Sequence, residues 1–135
     1  MAACVLDTDV VIAALDRADA HHRAAAHAFG RWTEEGVELL LCTVNYAEAL
    51  VRPAEEAQAM RAAVEAIAAL GIRLHVPDVS LARDAARRRA LGISLADGFA
   101  LATAERAAAD LASFDKRVRR VLTRAGLSLS PALSL

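Results

Sequence analysis

The stretch AACVLDTDVVIAAL, residues 2–15, decides the fold class. Residues 2–6 are apolar, and the run stops at Asp7. A short unbroken apolar run reads as a strand buried on both faces, the kind found in parallel sheets. Thr8 then caps a helix predicted over 9–15. Asp9 is favourable in its first turn, where unpaired backbone N–H groups attract negative charge. The opening unit is strand, acid, helix.

The same rhythm recurs outward from this unit. A second helix is predicted from Asp19 through Trp32, then a strand over 37–42 (VELLLC) after Gly36. Thr43 or Asn45 caps a helix that carries Glu48 and ends at Arg52, the residue before a proline. A longer helix over 54–70 places Met60, Val64, Ile67 and Ala68 on one face, and Gly71 closes it. A strand over 72–76 (IRLHV) leads to a helix that opens at Pro77-Asp78 and ends near Gly92. Ser94 caps the next helix, with Asp97 in its first turn. A weaker strand over 109–114 (ADLASF) stops at Asp115, and a helix over 116–125 and a short strand over 127–129 follow. Strands alternating with helices predict an α/β domain spanning 1–135. Its mainly parallel sheet of four to five strands is covered on both faces.

Composition narrows the functions. The chain is 56% hydrophobic but only 4% aromatic, and much of the apolar content is alanine, which favours helix. The core must then rest on Leu, Val and Ile. No apolar run approaches the ~20 residues of a membrane span. No basic segment precedes the first apolar stretch, so a cytoplasmic protein is expected. Cys4 and Cys42 lack metal-ligand spacing and read as free buried thiols. The formal net charge of -1 predicts no general affinity for polyanions, so any nucleic-acid contact must come from local clusters. Two exist, Arg87 to Arg89 and the group Lys116, Arg117, Arg119, Arg120 and Arg124. A solvated helical face is the plain reading of both, but Lys116 and Arg117 adjoin Asp115 and suit phosphate. His21, His22 and His27 read as solvated or packing residues, and Trp32 as a core anchor.

Four acids carry the chemistry. Asp7 and Asp115 sit where strand runs stop, Glu48 lies one to two turns into a helix, and Asp97 lies in a first helical turn. Ligand sites of open parallel sheets form outside the carboxyl ends of the strands, so these four are expected to meet at one rim. Each alone reads equally well as a cap or a solvated charge. Together they would repel one another unless a divalent cation joined them, and hard oxygen ligands suit magnesium or manganese.

The contexts of these acids resemble a known family. LDTDVVIAAL (6–15), NYAEALVRP (45–53), ISLADGFALATA (93–104) and SFDKRV (113–118) are similar, in order and across nearly the whole chain, to the four acidic motifs of PIN-domain proteins. The likeness is greatest to VapC-type toxins of bacterial toxin–antitoxin pairs, whose second helix ADAHHRAAAHAF (18–29) also resembles. The resemblance implies a PIN-like three-layer α/β/α sandwich. It implies an endoribonuclease dependent on magnesium or manganese, with Asp7, Glu48, Asp97 and Asp115 as metal-site acids. Thr8, Asp9 and Ser94 would stand around them, and Lys116 and Arg117 would contact RNA phosphate. Asp9 departs from the family's more usual Ser or Asn; it reads as an extra outer acid or, the preferred reading, as a helix N-terminal charge. A homodimer held inactive by a cognate antitoxin is also implied. The helices at 54–70 and 78–91 are expected to supply contact surface, and an antitoxin arginine would enter the acidic site.

Two alternatives compete with this reading. Asp7-Thr8-Asp9 also has the DxD spacing of haloacid-dehalogenase-like phosphatases, with Asp7 as nucleophile and Asp9 as acid/base. Against it, the only lysine, Lys116, directly follows Asp115. A housekeeping or non-catalytic PIN-domain protein is the other alternative.

Overall fold

A computed structural model describes residues 2–133. Four parallel strands form its sheet: β1 (Ala3–Leu6), β2 (Glu38–Cys42), β3 (Ile72–His75) and β4 (Asp110–Ala112), in the order β3-β2-β1-β4. The chain steps outward from β1 to β2 to β3, then returns to the far side of β1 to lay down β4. The reversal puts the topological switch between β1 and β4, where α/β sheets leave a crevice at their carboxyl ends. Residues 127–129, expected as a strand, contribute one isolated bridge, Leu111 to Leu129, beside β4.

The helices are α1 (Thr8–Leu15), α2 (His22–Glu35), α3 (Thr43–Ala49), α4 (Ala57–Ala69), α5 (Val79–Arg88), α6 (Leu95–Ala107) and α7 (Lys116–Val121). They form the outer layers, because alternate strand residues face opposite ways. Cys4, Leu6, Leu39 and Leu41 pack on one side with Val11, Phe29, Trp32 and Ile67. Val5, Leu40 and Leu111 pack on the other with Ile93, Leu101 and Val118. The result is the expected α/β/α sandwich. Trp32 is a core anchor as predicted, its indole N–H donating to Ser130 Oγ at 3.0 Å. Cys4 and Cys42 are free and buried, and burial pushes the Cys4 thiol up to about 12.

Several boundaries and one face differ from expectation. The first helix is capped by Asp7 rather than Thr8. Asp19 does not start α2; its carboxylate accepts the His21 N–H in a turn, and the helix begins at His22. Asn45 caps nothing and lies buried inside α3. Pro53–Glu55 forms a separate 3-10 turn, and Glu56 caps α4 by accepting from Gln58 and Ala59. On α4 the buried stripe is Ala63 and Ile67, with Met60 packed partly beside it, whereas Val64 and Ala68 are exposed. Alanine on every side of this helix gives no size contrast from which to read the inward face.

One close contact sets the second layer. An added Cβ on Gly98 would lie 2.5 Å from the Ala85 carbonyl oxygen, so α6 packs directly on the backbone of α5. A side chain there must push two helices apart, and one of them carries Asp97. Gly98→Ala is expected to destabilise the protein by about 2 kcal/mol in urea titrations. Unchanged stability would mean that the two helices separate at little cost.

Candidate active site

Every acid predicted to carry the chemistry opens into one pocket. Its volume is about 300 Å³, and Asp7, Asp9, Glu48, Asp97 and Asp115 line it with Thr8, Ser94 and Arg117. The pocket lies at the carboxyl end of β1 and β4, the switch point of the sheet. Register explains the placement. Leu6 pairs with Ala112, and the Asp7 N–H donates to the Ala112 carbonyl at 2.9 Å, so the next residues of both strands emerge side by side.

Asp7 is 2% exposed, the most enclosed of the five acids. Thr8 N–H donates to its Oδ1 at 2.9 Å and the Ser113 hydroxyl to its Oδ2 at 2.8 Å. Those two bonds do not offset its surroundings. Burial, with Asp9 and Asp97 nearby, pushes the Asp7 carboxyl up to about 8. Asp9 accepts the Phe114 N–H at 3.0 Å through Oδ2, while its buried Oδ1 has no hydrogen-bond partner among the described residues. Burial, with Asp115 and Asp97 nearby, raises it to about 6. Asp9 is thus more than the helix-terminal charge preferred from sequence: it is a half-buried wall of the pocket.

The other acids are fixed by the helices they begin. Ser94 and Asp97 form a reciprocal capping box at the start of α6, with bonds of 3.0 and 3.2 Å. Asp115 caps α7 by accepting the Arg117 N–H at 2.8 Å, and the Arg117 guanidinium stands 3.7 Å from its second oxygen. Glu48, on α3, is exposed and makes no hydrogen bond or ion pair among the described residues. The phosphatase alternative fares worse, because Lys116 lines a different pocket from the one that holds Asp7 and Asp9.

Two supporting residues were not assigned to the site from sequence. Ser113 links β4 to Asp7 and also accepts the Asp115 N–H at 3.1 Å, so one hydroxyl aligns two acids. A small polar residue between an apolar run and an acid was the available signal. Asn45 is fully buried; its Nδ2 donates to Thr8 Oγ1 and to the Ala96 carbonyl, both at 3.1 Å. It ties together the helices that carry Asp9, Glu48 and Asp97, a role set entirely by long-range packing.

Among the described residues, no three acidic, histidine or cysteine side chains stand in a ready-made coordination cage. The donors that ring the pocket are nevertheless all carboxylate or hydroxyl oxygens. Among the described residues one buried carboxylate oxygen lacks a hydrogen-bond partner, and burial beside neighbouring acids holds two carboxyls unusually basic, an environment that a positive charge would relieve. That donor set fits a hard divalent cation.

The raised carboxyls set the pH dependence of the metal-free protein. An unfolded Asp titrates near 4, whereas folded Asp9 and Asp7 hold their protons to about 6 and about 8. The native state therefore binds more protons than the unfolded state between those values, and its stability falls as pH rises through them. In EDTA the melting temperature should be higher at pH 5 than at pH 8, and Asp7→Asn should flatten that difference. An equal slope in wild type and variant would show that Asp7 is not the strained group.

Comparison with known proteins agrees with this layout. VapC20 of Mycobacterium tuberculosis, a toxin that cleaves the sarcin–ricin loop, superposes with a TM-score of 0.71 at 16% identity, covering 92% of this chain and 95% of that one. VapBC2 of Rickettsia felis, bound to a DNA fragment of its promoter, gives 0.74 at 12% identity, over 95% and 97% of the two chains. FitAcB of Neisseria gonorrhoeae gives 0.68 at 20% identity, over 98% and 99%. At these identities the likeness is one of fold. No curated protein matches the chain at a significant level by sequence. The PIN domain family model, however, matches residues 4–122, from the first residues of β1 to the end of α7, and the chain belongs to the PIN-domain family.

Proposed function

We propose that this chain is a divalent-metal-dependent endoribonuclease and the toxin of a toxin–antitoxin pair, folded as one catalytic domain. The observation that carries the reading is the convergence of five carboxylates in one pocket at the switch point of the sheet. Membership of the PIN-domain family and the likeness in fold to VapC and Fit proteins support it.

Asp7, Asp97, Glu48 and Asp115 would hold magnesium or manganese, with Thr8, Asp9 and Ser94 around them. Such a metal would supply Lewis-acid activation of water and stabilisation of the leaving oxygen in phosphodiester hydrolysis. The protein's own contribution is placement. Ser113 and Thr8 orient the Asp7 oxygens, the capping box fixes Asp97, and α7 fixes Asp115. Arg117 faces the same pocket and offers a cation to phosphate, with Lys116 next to it in sequence. Purified protein should cut RNA with magnesium or manganese and stop in EDTA. Asp7→Asn and Asp97→Asn should each lose cleavage while melting no lower than wild type in EDTA. Full cleavage by either variant would remove that acid from the site.

The partner reading moves to a different surface from the one expected. The buried face of α5, Leu81 and Ala85, is taken up by α6. An apolar groove of about 580 Å³ lies instead between α1 and α3, walled by Ile12, Leu15, Val51 and Pro53, and it shares Ile12 and Glu48 with the acid pocket. An antitoxin segment in that groove could deliver an arginine to the acids. VapC20, similar in fold, is a toxin by name, and the similar VapBC2 was solved bound to a DNA fragment of its promoter, which supports a toxin with such a partner here. A homodimer is expected as well. Light scattering at micromolar concentration should give twice the chain mass, and a monomer throughout would reject it.

A further inference from the structure

A second pocket, of about 260 Å³, opens on the other side of the segment that closes the acid pocket. Residues 114–117 alternate between the two. Asp115 and Arg117 line the acid pocket, whereas Phe114 and Lys116 line the second pocket with His21 and Arg119. The rings of His21 and Phe114 lie face to face, centroids 4.4 Å apart and planes within 6°. The Arg119 guanidinium stands 5.9 Å from the centre of the Phe114 ring. Sequence alone suggested only a solvated or packing role for His21; its stacking on a residue 93 positions later (114 − 21) is a product of the fold.

Each part of this pocket is held in place. The His21 N–H donates to Asp19 at 2.8 Å, and His22 Nδ1 lies 2.7 Å from the Ala13 carbonyl, which pins the start of α2 against α1. The Arg119 Nε–H donates to the Ser113 carbonyl at 2.7 Å. Phe114 itself is bolted to the acid centre, because its N–H donates to Asp9. One residue thus gives its backbone to the acids and its ring to the second pocket. Neither Lys116 nor Arg119 is ion-paired among the described residues, although Arg31, Arg73, Arg87, Arg88, Arg106 and Arg117 are.

The geometry points to a nucleotide subsite: the base next to the cleaved phosphate stacks on the exposed ring of His21, and Lys116 and Arg119 meet the phosphate beyond it. This rests on the ribonuclease reading above. A chain of net charge -1 has no general affinity for a polyanion, so beyond the acid site the strand must be held by local cations and by stacking. Every base offers a π-face, so the pocket holds a single strand without choosing its sequence. Phe114 behind His21 keeps the imidazole plane fixed, which limits the ordering cost of the stack.

The probe is a fluorescein-labelled oligouridylate of about eight nucleotides, followed by anisotropy with magnesium in an Asp7→Asn host that binds without cutting. His21→Ala should raise Kd about tenfold, His21→Phe should restore binding to within about twofold, and an abasic strand should not distinguish the three proteins. Lys116→Gln should reduce the slope of log K against log salt by about 0.7. In the cleaving wild-type background, His21→Ala should raise KM and leave kcat nearly unchanged. Unchanged Kd in His21→Ala, or an equal loss on the abasic strand, overturns the subsite. If wild type still cuts RNA with magnesium in that case, the ribonuclease reading stands without the subsite. If wild type neither binds nor cuts RNA, both fall together.

Discussion

The carboxylate of Asp7, enclosed at the end of a central strand with other acids around it, is the constraint from which the rest of the site follows. A buried carboxylate is costly unless it is paired and hydrogen-bonded. Here it receives two hydrogen bonds, from Thr8 and Ser113, and it has no ion-pair partner among the described residues. Asp9 adds to the demand with a buried oxygen that has no hydrogen-bond partner among the described residues. A structure that kept only its own stability in view would neutralise these groups. Holding them together makes sense where positive charge is supplied from outside, and the oxygen-only donor set limits what that charge is.

The same side chains that crowd the pocket also start helices. Asp7 caps α1, Asp97 closes the capping box of α6, and Asp115 caps α7. The N-terminal end of a helix carries partial positive charge from its unpaired N–H groups, so each of these acids meets a favourable local field. Three helix starts therefore converge on the switch point and lower the repulsion among the acids that begin them. Ser113 and Asn45 lock the arrangement across the chain. The first joins β4 to Asp7 and Asp115, and the second joins α1, α3 and α6.

The basic residues divide by location. Arg87 pairs with Asp84 within α5, Arg88 joins α5 to Glu105 of α6, and Arg89 donates to the Ile93 carbonyl, so each of the three already has a partner. Arg106 reaches Asp78 at the start of α5 and serves the same layer. On α7, Arg117 instead lines the acid pocket, Lys116 and Arg119 line the pocket behind it, and Arg119 braces the loop that carries Ser113 and Phe114. A nearly neutral chain can thus still present a local basic edge next to an acidic centre, with the two separated by a single segment of backbone.

Sequence alone determined the alternation of strands and helices and the positions of Asp7, Asp97 and Asp115. Those features are local: an apolar run ends, an acid follows, and a helix begins within a residue or two. Glu48 was legible only from its place in the helix after the second strand and from its motif, since nothing nearby distinguishes it from a solvated glutamate. Tertiary structure decided what depends on distant partners. Asp9 became a pocket wall because Phe114 lies against it, and Ser113 became the support of Asp7 because β4 pairs beside β1 rather than beyond β3. Of the solvated and packing roles expected of it, His21 combines both, because the fold brings Phe114 against one face of its exposed ring. The buried stripe of α4 was hidden by its alanine content. Local pattern reveals which residues can begin or end an element, but only packing chooses which side chains face each other across the chain.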